Sequence, residues 1–165
     1  RYALTVTDNV GFGNLREHDN QERIQQAVTD AGATEVVKDL EHGYDTTLGK
    51  IFAGGAELSG GQWQKIGLAR AFMTPAQILI LDEPTSAVDA IAEHDLFQRF
   101  RQLTKGKITF LVSHRFSTVR MADRIVVLEK GEIVEVGSHS ELLAKKGLYE
   151  RMFRLQAASY QEERS

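Results

Sequence analysis

The stretch ELSGGQWQKIGLARAF, Glu57–Phe72, decides how this chain is read. Ser59 stands at the mouth of an amphipathic helix, followed by Gly60, Gly61 and Gln62. A serine hydroxyl, N–H groups that glycines leave open to close approach and the positive end of a helix dipole together make an anion site. The same triplet is also an ordinary helix cap, so its surroundings must decide between the two roles. Downstream, Ile66, Ala69, Phe72 and Met73 form the helix's apolar stripe. Thr74-Pro75 ends it, because proline disfavours helical backbone in the residue before it.

After that helix the pattern changes. Ile78-Leu79-Ile80-Leu81 is continuously apolar, as expected of a strand covered on both faces in a parallel sheet, and Ile108 to Val112 repeats the signal. Between them, Ile91, Leu96, Phe100 and Leu103 recur at roughly helical spacing, which gives a strand-helix-strand crossover and an α/β architecture. Upstream of Glu57, residues 8 to 40 read as a small polar helical lobe. Ile24, Ala27, Val28 and Ala31 share one face there, and Gly32 is a stop. Residues 41 to 57 carry Gly43, Gly49, Gly54 and Gly55 and read as a long loop. At the other end, Arg124 to Val136 reads as two strands turning at Lys130-Gly131, and residues 138 to 145 and 147 to 156 as helices.

Asp82-Glu83-Pro84 follows the first apolar strand directly, at the carboxyl end where open α/β sheets place their ligands. An aspartate there can hold Mg²⁺ beside nucleotide phosphates, while the adjacent glutamate can orient or deprotonate an attacking water. His114 follows the second apolar strand. If the two strands are neighbours, it emerges on the same edge as Glu83, able to contact a terminal phosphate or hold a water. A lone acidic pair before proline caps turns, and a lone histidine is usually structural; the conjunction with Ser59 moves both toward chemistry. The segment GYDTTLGKI, Gly43–Ile51, imitates a phosphate-binding loop but fails as one. Five residues separate its glycines, Ile51 replaces the hydroxyl that meets Mg²⁺, Asp45 repels phosphate, and no apolar strand leads in.

Composition narrows the class. With 165 residues, 42% apolar and 26% charged, the chain has the balance of an ordinary globular domain. A net charge of -3 carries no electrostatic footprint for nucleic acid. The absence of cysteine excludes a disulfide framework, a thiolate nucleophile and a sulfur-bound zinc site, and suits the cytoplasmic side. No apolar run has the length to cross a bilayer, and Arg1-Tyr2-Ala3-Leu4-Thr5 lacks both a start methionine and the order of a signal peptide, so the chain reads as a piece of something longer.

In order and spacing these residues resemble the C-terminal larger part of an ATP-binding-cassette (ABC) nucleotide-binding domain of the exporter type. Leu58 to Gln62 resembles the ABC signature, Ile78 to Asp82 the Walker B strand, Glu83 the catalytic glutamate, Ser86-Ala87-Val88-Asp89 the D-loop, and His114 the switch histidine. Gly147 through Gln156 resembles the exporter's closing helix. The resemblance implies a P-loop-NTPase-like, mostly parallel sheet flanked by helices. It places a helical signature subdomain and connecting loop over residues 1–75, and the catalytic core with C-terminal helices over 76–165. It implies ATP and Mg²⁺ as ligands: Asp82 on the metal, Glu83 and His114 catalytic, and Ser59, Gly60, Gly61, Gln62 and Asp89 on the nucleotide. It further implies head-to-tail pairing with a second nucleotide-binding domain, with each signature facing ATP held by the other. Transmembrane domains would be the further partners, and the cytoplasmic face of the cell membrane the location. The Walker A loop and the Q-loop glutamine of this pattern would precede Arg1. Trp63 stands where a basic residue is common, Val88 where leucine is usual, and Lys50 near where exporters often carry a glutamate. The competing classes are a non-catalytic scaffold, in which Glu83 and His114 would be idle, and a nucleic-acid- or ribosome-acting ABC ATPase, which the D-loop approach and the lack of long coiled coils disfavour.

Overall fold

A computed structural model of the chain describes residues 1–49, 55–83 and 90–162. The chain divides into two compact units, Arg1–Leu79 with Pro84–Thr109, and Ile80–Glu83 with Phe110–Ser165.

The first unit is built on the helix opened by Ser59. Helices α1 (Val6–Gly11), α2 (Gln21–Asp30) and α3 (Thr34–Lys38) precede a 3₁₀ turn at Gly43–Asp45. Then come α4 (Gly60–Met73) and, later in the chain, α5 (Ala90–Thr104). The face expected on α2 is buried, with Ile24 and Val28 at 0% exposure, and Gly32 follows the helix at a φ of 65°. α4 packs on α1 and α2; of its expected stripe Ile66, Ala69 and Met73 are buried, as are Trp63 and Leu68, while Phe72 is half-buried. Its cap residue Thr74 is already extended ahead of Pro75, as the proline requires. Gly13 lets the chain after α1 press against α4, since a Cβ there would sit 2.1 Å from the Arg70 carbonyl oxygen. On α5, Phe100 and Leu103 are buried as expected, while the side chains of Ile91 and Leu96 lie outside the described residues. Arg99 donates from Nη1 to the carbonyls of Thr29 at 3.2 Å and Asp30 at 2.7 Å. A cation thus satisfies the orphan acceptors at the end of α2, where the helix dipole favours it. The loop over 41–57 is less irregular than expected: besides the 3₁₀ turn it makes bridges from Thr47 to Thr5 and from Leu48 to Ala56, burying Leu48 completely.

Asn9 ties the start of the chain to α4. It is fully buried, and its Nδ2 donates to the carbonyls of Tyr2, Leu4 and Thr5 at 3.0, 3.1 and 3.0 Å. Arg70 answers from α4, with Nε on the Asn9 carbonyl at 2.7 Å and Nη2 on Asn9 Oδ1 at 3.0 Å, its guanidinium 4.8 Å above the Tyr2 ring. Burial draws the Arg70 pKa down, and Tyr2 opposes that shift.

Strands β1 (Ile78–Asp82) and β2 (Ile108–Val112) form a two-stranded sheet. The Ile108 N–H donates to the Gln77 carbonyl at 2.9 Å, and the Glu83 N–H to the Val112 carbonyl at 2.9 Å. Both strands therefore advance in the same direction, as the β1-α5-β2 crossover demands. The expected cover on both faces is not found. Ile78 and Ile80 are 56% and 69% exposed and Ile108, Phe110 and Val112 are more than half exposed, because no described element lies over that face. Leu79 on the opposite face is buried.

The second unit continues with α6 (Phe116–Val119), β3 (Ile125–Glu129), β4 (Glu132–Gly137), α7 (His139–Lys145) and α8 (Leu148–Glu162). β3 and β4 pair antiparallel, and Lys130 and Gly131 at the turn take φ values of 52° and 84°. Positive φ at both central residues is the turn that matches strand twist, and glycine meets it without strain. Ile125 and Val127 face a core with Leu142 and Tyr149, against which Phe116 and Val119 pack. Ser138 and Glu141 close a reciprocal cap on α7, and the Ser138 N–H holds the Glu141 carboxyl below its ordinary pKa.

Because Asn9 serves three carbonyls and a guanidinium in a dry site, Asn9→Ala is expected to cost about 3 kcal/mol of stability. Urea denaturation followed by the fluorescence of Trp63, which α4 buries, measures it; Arg70→Met, which keeps the apolar stem, should cost less.

Candidate functional site

In the first unit, Ser59 is the N-cap of α4 in extended backbone, and its Oγ accepts from the Gln62 N–H at 3.2 Å. Gln62 Oε1 in return accepts from the Ser59 N–H at 2.8 Å, closing a reciprocal box. The cap reading of the triplet is therefore realised. The hydroxyl oxygen caps the helix, while its proton remains to be donated to an anion at the same spot. Ser59 and Gly60 are exposed, Gly61 and Gln62 half-buried, and Leu58 and Trp63 are buried on either side. The helix mouth is thus presented to solvent on an anchored frame. The Arg1 guanidinium lies 5.8 Å from the Trp63 ring.

In the second unit, β1 delivers Asp82 and Glu83 at its carboxyl end. Asp82 is an exposed carboxylate. Glu83 has a φ of 46°, left-handed backbone that a side chain rarely adopts, and its N–H is anchored to the Val112 carbonyl of β2. The turn aims its carboxylate at His114, which follows β2: Nδ1 of His114 and Oε1 of Glu83 are 2.7 Å apart. Toward an ionised carboxylate, Nδ1–H is the donor, which leaves Nε2 of a side chain that is 73% exposed to a ligand from solvent. Glu83 Oε2 is buried and has no hydrogen-bond partner among the described residues. The pair therefore has one carboxylate oxygen engaged by the imidazole and one buried without a partner among the described residues.

Among the described residues, no three His, Asp or Glu side chains come together to hold a metal ion. Mg²⁺ keeps most of its waters and takes one or two carboxylates beside substrate phosphates, so the single carboxylate of Asp82 fits as its protein ligand. Ser86 to Asp89 and Lys50 lie outside the described residues.

The fold brings Glu83 and His114 together as the strand adjacency required. Ser59 to Gln62 belong to the first unit and Asp82, Glu83 and His114 to the second. Gln156 of α8 was not singled out by the sequence, yet its Nε2 donates to the His114 carbonyl at 3.0 Å and its Oε1 accepts the Phe116 N–H at 2.9 Å. The only signal available was its spacing from Tyr149 and Phe153, which places all three on one helix face.

Comparison with known proteins shows what the chain is similar to. Residues 2–86 match the family model described as ABC transporter. The chain is 46% identical over 151 residues to an ATP-dependent lipid A-core flippase of Alcanivorax borkumensis, covering 92% of this chain and 25% of that protein. It is 43% identical over 152 residues to the subtilin transport ATP-binding protein SpaT of Bacillus subtilis, again 92% of this chain and 25% of the relative. Among solved structures it is similar to a bacterial Atm1-family ABC exporter with ATP bound, at a TM-score of 0.82 and 32% identity, over 94% of this chain and 27% of that one. The chain spans about a quarter of the length of the curated relatives it matches.

Removing the Ser59 hydroxyl by Ser59→Ala should lower stability by about 1 kcal/mol, the worth of an N-cap, whereas Ser59→Asp, itself a good cap, should leave it unchanged. Chemical denaturation of the two variants beside wild type checks the pair.

Proposed function

The chain belongs to the ABC transporter family, and we propose that it is the part of an exporter's nucleotide-binding domain that carries the signature helix and the water-activating carboxylate. The reaction is ATP hydrolysis coupled to transport. The observation that carries the proposal is the 2.7 Å contact between His114 Nδ1 and Glu83 Oε1, made at the carboxyl ends of two parallel strands.

Glu83 orients and partly deprotonates the attacking water with its carboxylate. Its Oε1 stays on His114, so the carboxylate cannot rotate away. His114, turned by that contact, reaches the terminal phosphate from Nε2. Asp82 would hold Mg²⁺, which supplies charge neutralisation between phosphates when bound. Ser59 and the open N–H groups behind it stabilise charge developing on the terminal phosphate, and the box with Gln62 keeps the hydroxyl in place beforehand, so no reorganisation is needed at the moment of reaction. Asp89, by its resemblance to the D-loop, is assigned to the nucleotide as well.

Two copies of the domain pair head to tail, so that Ser59 of one addresses ATP cradled by the other. No described helix is long and apolar enough to cross a membrane. Membrane-spanning partner domains would convert closure of the pair into movement of cargo, with the pair at the cytoplasmic face of the membrane. The named relatives are a lipid A-core flippase and a subtilin transport protein, so similar sequence over this stretch accompanies different cargoes.

In the full-length protein, Glu83→Gln is expected to lower ATP turnover at least about 100-fold while ATP binding persists, since the amide keeps the shape and loses the base. Asp82→Asn should instead weaken Mg²⁺-dependent binding. Phosphate release and nucleotide binding measured side by side decide it; turnover near wild type in Glu83→Gln overturns the assignment.

A further inference from the structure

We propose that Gln156 is a positioning residue for the reaction: its side-chain amide clamps the loop that carries His114 and holds the ring on Glu83. The inference rests on the catalytic reading of Glu83 and His114 and names the element that sets their geometry.

His114 is exposed, and side chains at strand ends in solvent have many rotamers and mobile backbones. Something must keep its ring 2.7 Å from Glu83 Oε1. The chain's own local bonds do little of this. Arg115, the N-cap of α6, makes no side-chain cap bond, so the first N–H of that short helix, on Phe116, needs an acceptor from elsewhere. Gln156 Oε1 supplies it at 2.9 Å, and the same amide donates from Nε2 to the His114 carbonyl at 3.0 Å. Arg115 between them is held by its N–H on Ser113 Oγ at 3.1 Å. Three consecutive residues are therefore fixed through their main chain, two of them by one side chain.

An amide donates and accepts at once in a planar pair without needing to be protonated, and glutamine has the reach from a helix. Its aim is fixed by packing. Phe116 stacks edge-on with Tyr149 at 5.2 Å and with Phe153 at 5.3 Å between ring centres. Tyr149 in turn bonds His139 Nδ1 through its hydroxyl at 2.8 Å, and His139 lies edge-on to Phe153 at 5.2 Å. Tyr149, Phe153 and Gln156 stand at i, i+4 and i+7 on α8, so one helix face grips the segment just beyond the catalytic histidine. The C-terminal helix is thereby part of the catalytic apparatus without touching substrate.

The test compares Gln156→Leu and Gln156→Glu with wild type in the full-length protein. Leucine fills the space and keeps the aromatic packing but can neither donate nor accept. It should lower kcat about tenfold with KM for ATP within about twofold of wild type, because the ring is misplaced while nucleotide contacts stand. Glutamate keeps the acceptor for Phe116 but, ionised, cannot donate to the His114 carbonyl. Its rate relative to wild type at the same pH should rise as pH falls toward the carboxyl's ordinary value near about 4.3, where the protonated acid donates again. Division by the wild-type rate removes the titration of the rest of the site. Without turnover, hydrogen exchange at the Phe116 amide should be faster in Gln156→Leu and near wild type in Gln156→Glu. Unchanged kcat in Gln156→Leu, or a Gln156→Glu rate ratio flat with pH, overturns the clamp. If Glu83→Gln turns over normally, the catalytic reading itself has failed; if that variant is dead while Gln156→Leu is fully active, only the clamp has.

Discussion

The geometry of the edge that carries Glu83 and His114 depends on one strained residue. Glu83 sits at a φ of 46°, a conformation that costs a side-chain-bearing residue roughly 1–2 kcal/mol and persists only where its surroundings over-determine it. Two bonds do so: its N–H on the Val112 carbonyl closes the parallel pair, and its carboxylate meets His114. Relaxing the backbone to an ordinary φ would swing the carboxylate away from the histidine. Parallel pairing of β1 with β2 is therefore what makes two residues 31 apart in sequence into one chemical group.

Much of this was legible in the sequence because it is local. The serine three residues before Gln62, the proline after Thr74, the glycine after α2 and the Lys130-Gly131 turn each act on backbone within a few residues, and the structure realises all of them. The encounter of Glu83 with His114 was legible at one remove, since two apolar strands joined by a helix pair in parallel and bring their carboxyl ends to one edge. The strand pattern misled in one respect. Continuous apolar residues predict cover on both faces, yet Ile80 and Phe110 stand 69% and 58% exposed. Periodicity records what a strand's environment demands; the described elements of this chain cover one face of it.

What the sequence withheld are contacts between a side chain and distant main chain. Asn9 with Arg70, 61 residues apart, and Gln156 with the His114 carbonyl, 42 apart, leave no pattern, because a backbone acceptor has the same identity at every position. These bonds nonetheless fix the start of the chain on α4 and the segment after His114 on α8. They hold in place two short constellations, each commonplace alone: a serine-capped helix mouth in one unit and a carboxylate–imidazole pair in the other.

The central claim is that Ser59 works on a phosphate besides capping its own helix, and turnover by the full-length Ser59→Asp protein tests it most directly. Aspartate keeps the cap and suits the helix dipole, but sets a negative charge where the terminal phosphate must come. The account predicts ATP turnover at least about 100-fold below wild type in a protein of unchanged stability; turnover near wild type would contradict it.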